Sequence, residues 1–353
     1  MPEVRAYAAQ SATSGLAATT IVRREPRPDD VVIDVAYCGI CHTDLSQTRN
    51  EWGGAEYPMV PGHEITGIVR AVGDHVHDLA VGARVGVGCF VDGGCSKGIG
   101  DREHEHRDFA NLVATYNGHE HDGALTYGGY SQSIVVRRPY VLEIPDALPL
   151  DAAAPLLCAG ITLYSPLVHW QAGAGRTVAV VGLGGLGHLG VKLARAFGAE
   201  VTVLSRTDDK RADALALGAH DFHATADPET FARLAGRFDL VLVTVGTTLD
   251  WSAHLRLLRT DGALVLLGMP DAPGSVNAFE LITQRRSLAG SAIGSIPETR
   301  RMLEFCARHG ITADIETIPI QDLAAAYARI DRGDVRYRFV IDMQSLGREP
   351  PAP

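Results

Sequence analysis

Cysteine is scarce in this chain, basic residues are outnumbered, and no long apolar run interrupts it. Six cysteines in 353 residues are too few for a disulfide scaffold. Glu3 comes early and no apolar stretch follows it, so no export signal is expected and the thiols should be reduced in the cytoplasm. No segment reaches the roughly 18 apolar residues of a membrane span, so a membrane is not an expected partner. Lys and Arg total 32 against 42 Asp and Glu, a formal charge of −10, and no basic cluster offsets it. That balance argues against binding a nucleic-acid backbone and leaves a small molecule as the expected partner. With 46% apolar and 21% charged residues, the composition is that of an ordinary globular protein, long enough for two domains.

The texture changes along the chain. Residues 1–150 hold short Val- and Ile-rich runs, VVIDVAYC (31–38), ITGIVRAVG (65–73) and ARVGVG (83–88), separated by Gly, Pro and Asp turns, which predicts a small β-rich domain. Beyond Asp151, TVAVVGLGG (177–185), VTVL (201–204), DLVLVTVG (239–246) and GALVLLGM (262–269) read as buried strands with helical stretches between them. Leu189, Leu193 and Phe197 recur at helical spacing, and Gly198 fits the end of that helix. Alternating β and α predicts a doubly wound parallel sheet over 151–287. Residues 288–343 are read as a strand, a helix near Pro297–His309 and DVRYRFVIDM (334–343) returning to the sheet edge and the first domain, and 344–353 as a disordered tail. The polar, His-rich stretch 101–122 reads as a surface loop.

Gly182-Leu183-Gly184-Gly185-Leu186-Gly187 follows a strand and opens a helix, the context that gives G-x-G-x-x-G its meaning. Gly182 allows the tight turn, Gly184 lets the backbone approach a pyrophosphate, and Gly187 lets the helix pack on the sheet with its N-terminal amides toward the phosphates. The next strand ends in Ser205-Arg206-Thr207, with Lys210 a turn later, where an NAD site usually has an acidic residue. Hydroxyls and cations suit a 2′-phosphate, so NADP(H) is expected. Asp208 and Asp209 come too late to hold the ribose and should lie in the first turn of the following helix.

Residues 37–44, YCGICHTD, contain Cys38-Gly-Ile-Cys41-His42, which alone permits c-type haem attachment, a redox pair or half a zinc site. A reducing compartment disfavours haem. A structural zinc knuckle needs a second cysteine pair, and none follows. A redox pair needs a helix start in a thioredoxin-like unit, which β-rich surroundings do not promise. A catalytic zinc taking one Cys, one His and a distant Cys remains possible.

GICHTD (39–44), PGHE (61–64) and PLLCAGIT (155–162) together resemble the zinc-dependent medium-chain alcohol dehydrogenases, most closely the cinnamyl-alcohol-dehydrogenase-like branch. The likeness runs from about Val31 to Met343 and includes PGHEITGIVRAVG, YNGHEHDGALTYGGYS, CAGITLYSPL, VGLGGLGHLGVKLARAFGAEVTVLSR and DVRYRFVID. It implies an α/β protein in which a Rossmann sheet joins a β-rich GroES-like catalytic domain. It further implies Cys41, His63 and Cys158 as catalytic zinc ligands, and Glu64 as the ligand when no substrate or water is bound. Thr43 would bond the substrate oxygen and start a proton relay, Arg338 would neutralise Glu64 from behind, and Cys38 and His42 would not be ligands. Thr43, Thr162, Thr244, Gly268 and Ser291-Ala292-Ile293 should line the cofactor, and Trp52, Tyr57 and Ile293 the substrate. A homodimer, with strands around Ser287–Gly294 pairing across its axis, is the implied assembly.

Two departures stand out. The relatives' second, structural zinc is held by four cysteines, whose places here fall on Gly94, Lys97, Gly100 and near Asp108, leaving only Cys95, one place out of register. One thiol cannot hold a tetrahedral zinc, and His104, His106, His119 and His121 read as solvated histidines rather than a replacement site. Ser46 stands where close relatives often have a histidine at the solvent end of the relay; a serine can pass a proton but cannot buffer one.

The expected activity is hydride transfer between NADP(H) and a primary alcohol or aldehyde, in the reducing direction. An NADPH reductase of an imine or activated C=C, and a non-catalytic NADPH-binding protein, are the alternatives; the complete set Cys41, His63, Glu64, Cys158 and Thr43 weighs against both. The sequence predicts one zinc per chain, so metal analysis of the purified protein should return one equivalent. Two equivalents would mean that the 89–109 stretch holds a metal after all.

Overall fold

The computed structural model describes residues 3–93 and 112–347. Gly94, Cys95, Lys97, Gly100, His104, His106 and Asp108 lie outside the described residues, so the expectation about a second zinc is carried by sequence alone. The chain divides into two compact units, Met1–Cys158 with Ser295–Pro353, and Ala159–Gly294.

The first unit is organised by the strand Asp30–Gly39, DVVIDVAYCG, whose nearly continuous apolar run suits burial on both faces. It lies inside a seven-stranded sheet running in the order Ile315–Pro319, Arg338–Asp342, Asp30–Gly39, Ile65–Val72, Arg84–Val87, Leu142–Glu143, and it also pairs with Ser133–Arg137. Register shifts at Val32/Ile33 and Val35/Tyr37 let it serve several partners. Ile33, Cys38, Ile65, Val85, Val87, Phe339 and Ile341 fill the core between these strands, each large apolar side chain contributing about 1.5–3 kcal/mol on burial. Cys38 is thus a core residue of the strand.

Two short elements differ from the sequence reading. HTDLSQT forms a helix, His42–Thr48, with Cys41 at its N-cap. Seven residues with threonine near both ends show too little periodicity to announce it, so the β-rich surroundings do supply the helix start that the sequence did not promise. Leu112–Ala114, placed in the polar loop, is a strand pairing with Phe90–Gly93. His119 and His121, from the same loop, face Glu56 and Asp92 at 3.3 and 3.5 Å. The acidic partners account for both imidazoles, and among the described residues neither belongs to a metal-ligand group.

The second unit carries a six-stranded sheet in the order Asp221–Ala224, Glu200–Ser205, Thr177–Val181, Phe238–Val243, Leu258–Leu266, Ser287–Gly290, parallel at every pairing. The chain starts at Thr177–Val181, winds outward one way, then returns to the other side of the same strand. The order therefore reverses between Thr177–Val181 and Phe238–Val243, where open α/β sheets bind ligands beyond the strands' carboxyl ends. The helix Gly187–Ala196 buries Leu189 and Leu193 as its spacing predicts, and Gly198 follows it at φ +90°, the left-handed conformation that ends helices. Among the described residues no single helix is long and apolar enough to cross a membrane.

A buried cation braces the first unit. Among the described residues no carboxylate bonds Arg23; its guanidinium donates to the carbonyls of Ser133, Tyr127 and Gly128 and to Ser131 Oγ, at 2.5–2.9 Å. It ties the end of the strand Leu16–Val22 to residues 127–133, whose amides hold Val60, Pro61 and Gly62. Arg23→Met would strand these acceptors, and should cost on the order of 3 kcal/mol, read as a lower urea midpoint. An unchanged midpoint would remove the bracing role.

Candidate metal centre

Three stretches far apart in sequence deliver one cluster of donors. Cys41 caps the helix after the central strand, His63 and Glu64 lie in the turn before Ile65–Val72, and Cys158 ends the 3-10 turn Ala154–Leu157. One ligand atom from each of these four residues lies within 4.8 Å of the other three, and all four side chains are buried.

Glycines make the space. Gly62 has φ +104°, and a Cβ there would come within 2.6 Å of the Tyr130 ring and 2.8 Å of Cys38 Sγ. At Gly39 a Cβ would come within 2.1 Å of Glu64 Oε2. The glycines of C-G-I-C and P-G-H-E are therefore steric requirements of the carboxylate and of the turn that presents it.

Asp44, fully buried and given no role by the sequence reading, orients the ligands. Its Oδ1 accepts from the Gly62 amide at 3.1 Å and lies 3.1 Å from His63 Nδ1, while Oδ2 accepts the Cys41 amide at 2.9 Å. The hydrogen-bond geometry assigns the proton to Nδ1 and leaves Nε2 for a cation. The signal was present: an acidic residue three places beyond a helix cap reaches back to the cap amide. Cys89 was also unassigned; Cys158 and His63 beside it hold its thiol below the ordinary thiol range.

The electrostatics leave the cluster short of positive charge. A hydrogen bond from Cys158, aided by His63, holds Cys41 well below the ordinary thiol range, while bonding to Cys41 and Cys89, with burial, pushes Cys158 up. Burial lifts the Glu64 carboxyl to about 7 although Arg338 lies beside it. Arg338 comes from the strand that pairs with Asp30–Gly39 and bonds Glu64 Oε1. Glu64 Oε2 is buried with no hydrogen-bond partner among the described residues. An unpaired carboxylate oxygen beside two thiols and an imidazole is the donor set of a zinc ion, so the residues fit that metal.

Of the other expected residues in this unit, Thr43 lies in the first turn of the helix His42–Thr48, half-buried, and Ser46 is buried one turn on. Trp52 is largely exposed, and Tyr57 donates its hydroxyl to the Thr48 carbonyl at 2.8 Å.

In the other unit the glycine turn has the form a dinucleotide needs. Gly182 has φ +93°, and a Cβ at Gly187 would come within 2.0 Å of the Gly182 carbonyl oxygen, whereas one at Gly184 would meet nothing within 4 Å. The open side of Gly184 leaves room for a pyrophosphate, so the turn fits the cofactor. Leu183, Gly185 and Leu186 complete it. Thr244 donates to the Val181 carbonyl at 2.9 Å, at the point where the strand order reverses. A Cβ at Gly268 would come within 2.3 Å of the Val245 carbonyl oxygen, which fixes this loop against its neighbour. Ser205 ends its strand, Arg206 is exposed, and Lys210 Nζ donates to the Leu183 carbonyl at 2.8 Å, joining the two loops. The Thr207 hydroxyl bonds Asp209 and Asp208 pairs with Arg211, so those acidic groups are engaged. Thr162 is buried in the helix Ala159–His169. Ser291 and Ala292 follow the edge strand, and Ile293 has φ +39°, a strained value for a β-branched residue.

Comparison with known proteins gives two family matches, an alcohol dehydrogenase GroES-like domain over residues 27–146 and a zinc-binding dehydrogenase over 185–308. NADP-dependent alcohol dehydrogenase C 1 of Mycolicibacterium smegmatis is 56% identical over 351 residues, covering 98% of this chain and 99% of that one. Among solved structures, a cinnamyl alcohol dehydrogenase of Sorghum bicolor superposes with TM-score 0.94 at 41% identity, covering 100% of both chains. A cinnamyl alcohol dehydrogenase of Helicobacter pylori complexed with NADP(H) has TM-score 0.90 at 37% identity, covering 97% of this chain and 98% of that one.

Asp44→Asn should weaken zinc binding about 10- to 100-fold, measured by competition with a chromogenic chelator. Wild-type affinity would show that the carboxylate does not orient His63.

Proposed function

We infer the reaction from one premise: the chain belongs to the zinc-dependent medium-chain alcohol dehydrogenases, in their cinnamyl-alcohol-dehydrogenase-like branch. It is an NADP-linked oxidoreductase of alcohols and aldehydes. We place its chemistry at Cys41, His63, Glu64 and Cys158, and its working direction at reduction of an aldehyde to a primary alcohol. The buried, unpartnered Glu64 Oε2 is the observation that carries this site.

A zinc ion held by Cys41, His63 and Cys158 would polarise the substrate oxygen, and NADP(H) on the glycine turn would supply or take the hydride. Asp44 keeps His63 in the tautomer that presents Nε2. Glu64 would be the fourth group able to hold the ion, and Arg338, bonded to its Oε1, compensates the carboxylate charge. Thr43 carries the proton at the substrate oxygen. Arg206, Lys210 and Ser205 receive the 2′-phosphate, Arg206 by the charge-assisted bonds that guanidinium makes to phosphate. Within the unit that carries the donors, Trp52 and Tyr57 are the residues we assign to the substrate. Each chain holds one zinc.

The assembly we propose is a homodimer. Ser287–Gly290 is the edge of its sheet, so one side of its backbone has no strand partner among the described residues, and Phe279 and Ile282 are 71% and 72% exposed. The cytoplasm is the proposed compartment, because a thiol-rich metal centre is preserved where thiols stay reduced.

Cys158→Ser should abolish NADPH-dependent aldehyde reduction and lower zinc content, and Arg206→Ala should raise the KM for NADPH about tenfold while leaving NADH turnover unchanged. Both are read at 340 nm over a panel of aldehydes. Full activity in Cys158→Ser would remove the proposed centre, and wild-type preference for NADH would remove the role of Arg206.

A further inference from the structure

Reduction of an aldehyde by NADPH consumes one proton per turnover, and that proton has to travel from solvent to the substrate oxygen. We propose that Glu51 is the group that exchanges it with solvent, acting through Ser46. The proposal deepens the reading given above and rests on Thr43 as the residue that meets the substrate oxygen.

Ser46 lies three residues after Thr43 on the helix His42–Thr48, so the two share a helical face. Ser46 is only 2% exposed, and a hydroxyl so buried needs a partner to reach water. That partner is Glu51: Ser46 Oγ donates to Oε2 at 2.7 Å, and the Glu51 amide donates back to the Ser46 carbonyl at 2.9 Å. The double tie fixes the carboxylate over the serine. The Glu51 side chain is itself 45% exposed, so its carboxylate meets solvent directly. The charged group facing it is Arg49, with Nη1 3.8 Å from Glu51 Oε1, and Arg49 is held in turn by Asp331 at 2.7–2.9 Å. A serine can only relay a proton, because it neither stores nor releases one near neutral pH. The carboxylate beside it is a group that can take up a proton and hand it on.

In the reducing direction, protonated Glu51 gives its proton to Ser46 Oγ as the serine passes its own inward. Thr43 gives its hydroxyl proton to the substrate oxygen and is reprotonated from the Ser46 side. The hydride from NADPH carries the electron pair to the carbonyl carbon, giving alcohol and NADP⁺. Glu51, left as carboxylate, takes up a proton from hydronium or a buffer acid, and oxidation runs the same steps backward.

The test uses the zinc-loaded full chain, with cinnamaldehyde and NADPH in stopped-flow single turnovers at low buffer. Glu51→Gln, which keeps the size and an acceptor for Ser46, should slow reduction about tenfold to a hundredfold, with NADPH affinity and aldehyde KM unchanged. A hindered base too bulky to ligate zinc, 2,6-lutidine, should restore the rate, and Glu51→Asp should retain most of it. Ser46→Ala should lose as much, and the double variant no more than either single one. Ser46→His should make the rate independent of Glu51. Wild-type rates in Glu51→Gln, or a loss that appears in NADPH affinity and ignores lutidine, would overturn the proposal. Thr43→Val separates the two levels. If it is inactive while Glu51→Gln is normal, the exit route alone is wrong; if it turns over normally, the underlying proton reading fails as well.

Discussion

The metal centre depends on one buried carboxylate. Asp44 receives the amide of the residue carrying one thiol, the amide before the imidazole, and the imidazole itself. The first turn of a helix and a loop residue 19 positions beyond Asp44 are thereby locked to one another. Charge-assisted bonds of this kind are about twice as strong as neutral ones, and in a dry interior leaving any of them unmade is costly. The donors are in this way held at fixed spacing before any cation arrives, and preorganisation of that sort separates a binding site from a chance cluster.

Charge balance is the second constraint. Arg338 satisfies one oxygen of Glu64 and leaves the other bare, while the thiols compete for a proton between them. The pocket tolerates this arrangement because Gly39 leaves the carboxylate room and because a divalent cation would settle the account. In the other unit Lys210 anchors the glycine turn, and Asp208 beyond Arg206 is paired with Arg211.

Much of this was legible in the sequence. The parallel sheet followed from alternating apolar runs and helical spacing, and the glycine turn from its strand-to-helix context. The ligands needed more, since Cys41 alone permits several chemistries and His63 and Cys158 lie far off in the chain; long ordered motifs, not local pattern, connected them. Asp44 stood inside the stretch that first drew attention and still went unassigned, because the helix that gives it meaning is seven residues long with no apolar stripe. The partner of Ser46 was out of reach for another reason: Glu51 follows the helix in an irregular turn, where spacing says nothing of direction.

Arg338 reaches Glu64 across a separation of 274 residues, on a strand that forms almost at the end of the chain. Every ligand has been synthesised by residue 158, yet the guanidinium that compensates one of them is made last, after the entire intervening Ala159–Gly294 unit. On the ribosome the ligand cluster must therefore wait, its acid uncompensated and the Tyr37–Gly39 end of its strand still lacking the partner Val340–Asp342. Such late, long-range closure is intrinsically slow, and it makes the arrival of the final strand the moment at which a nascent collection of donors becomes a finished receptor for metal.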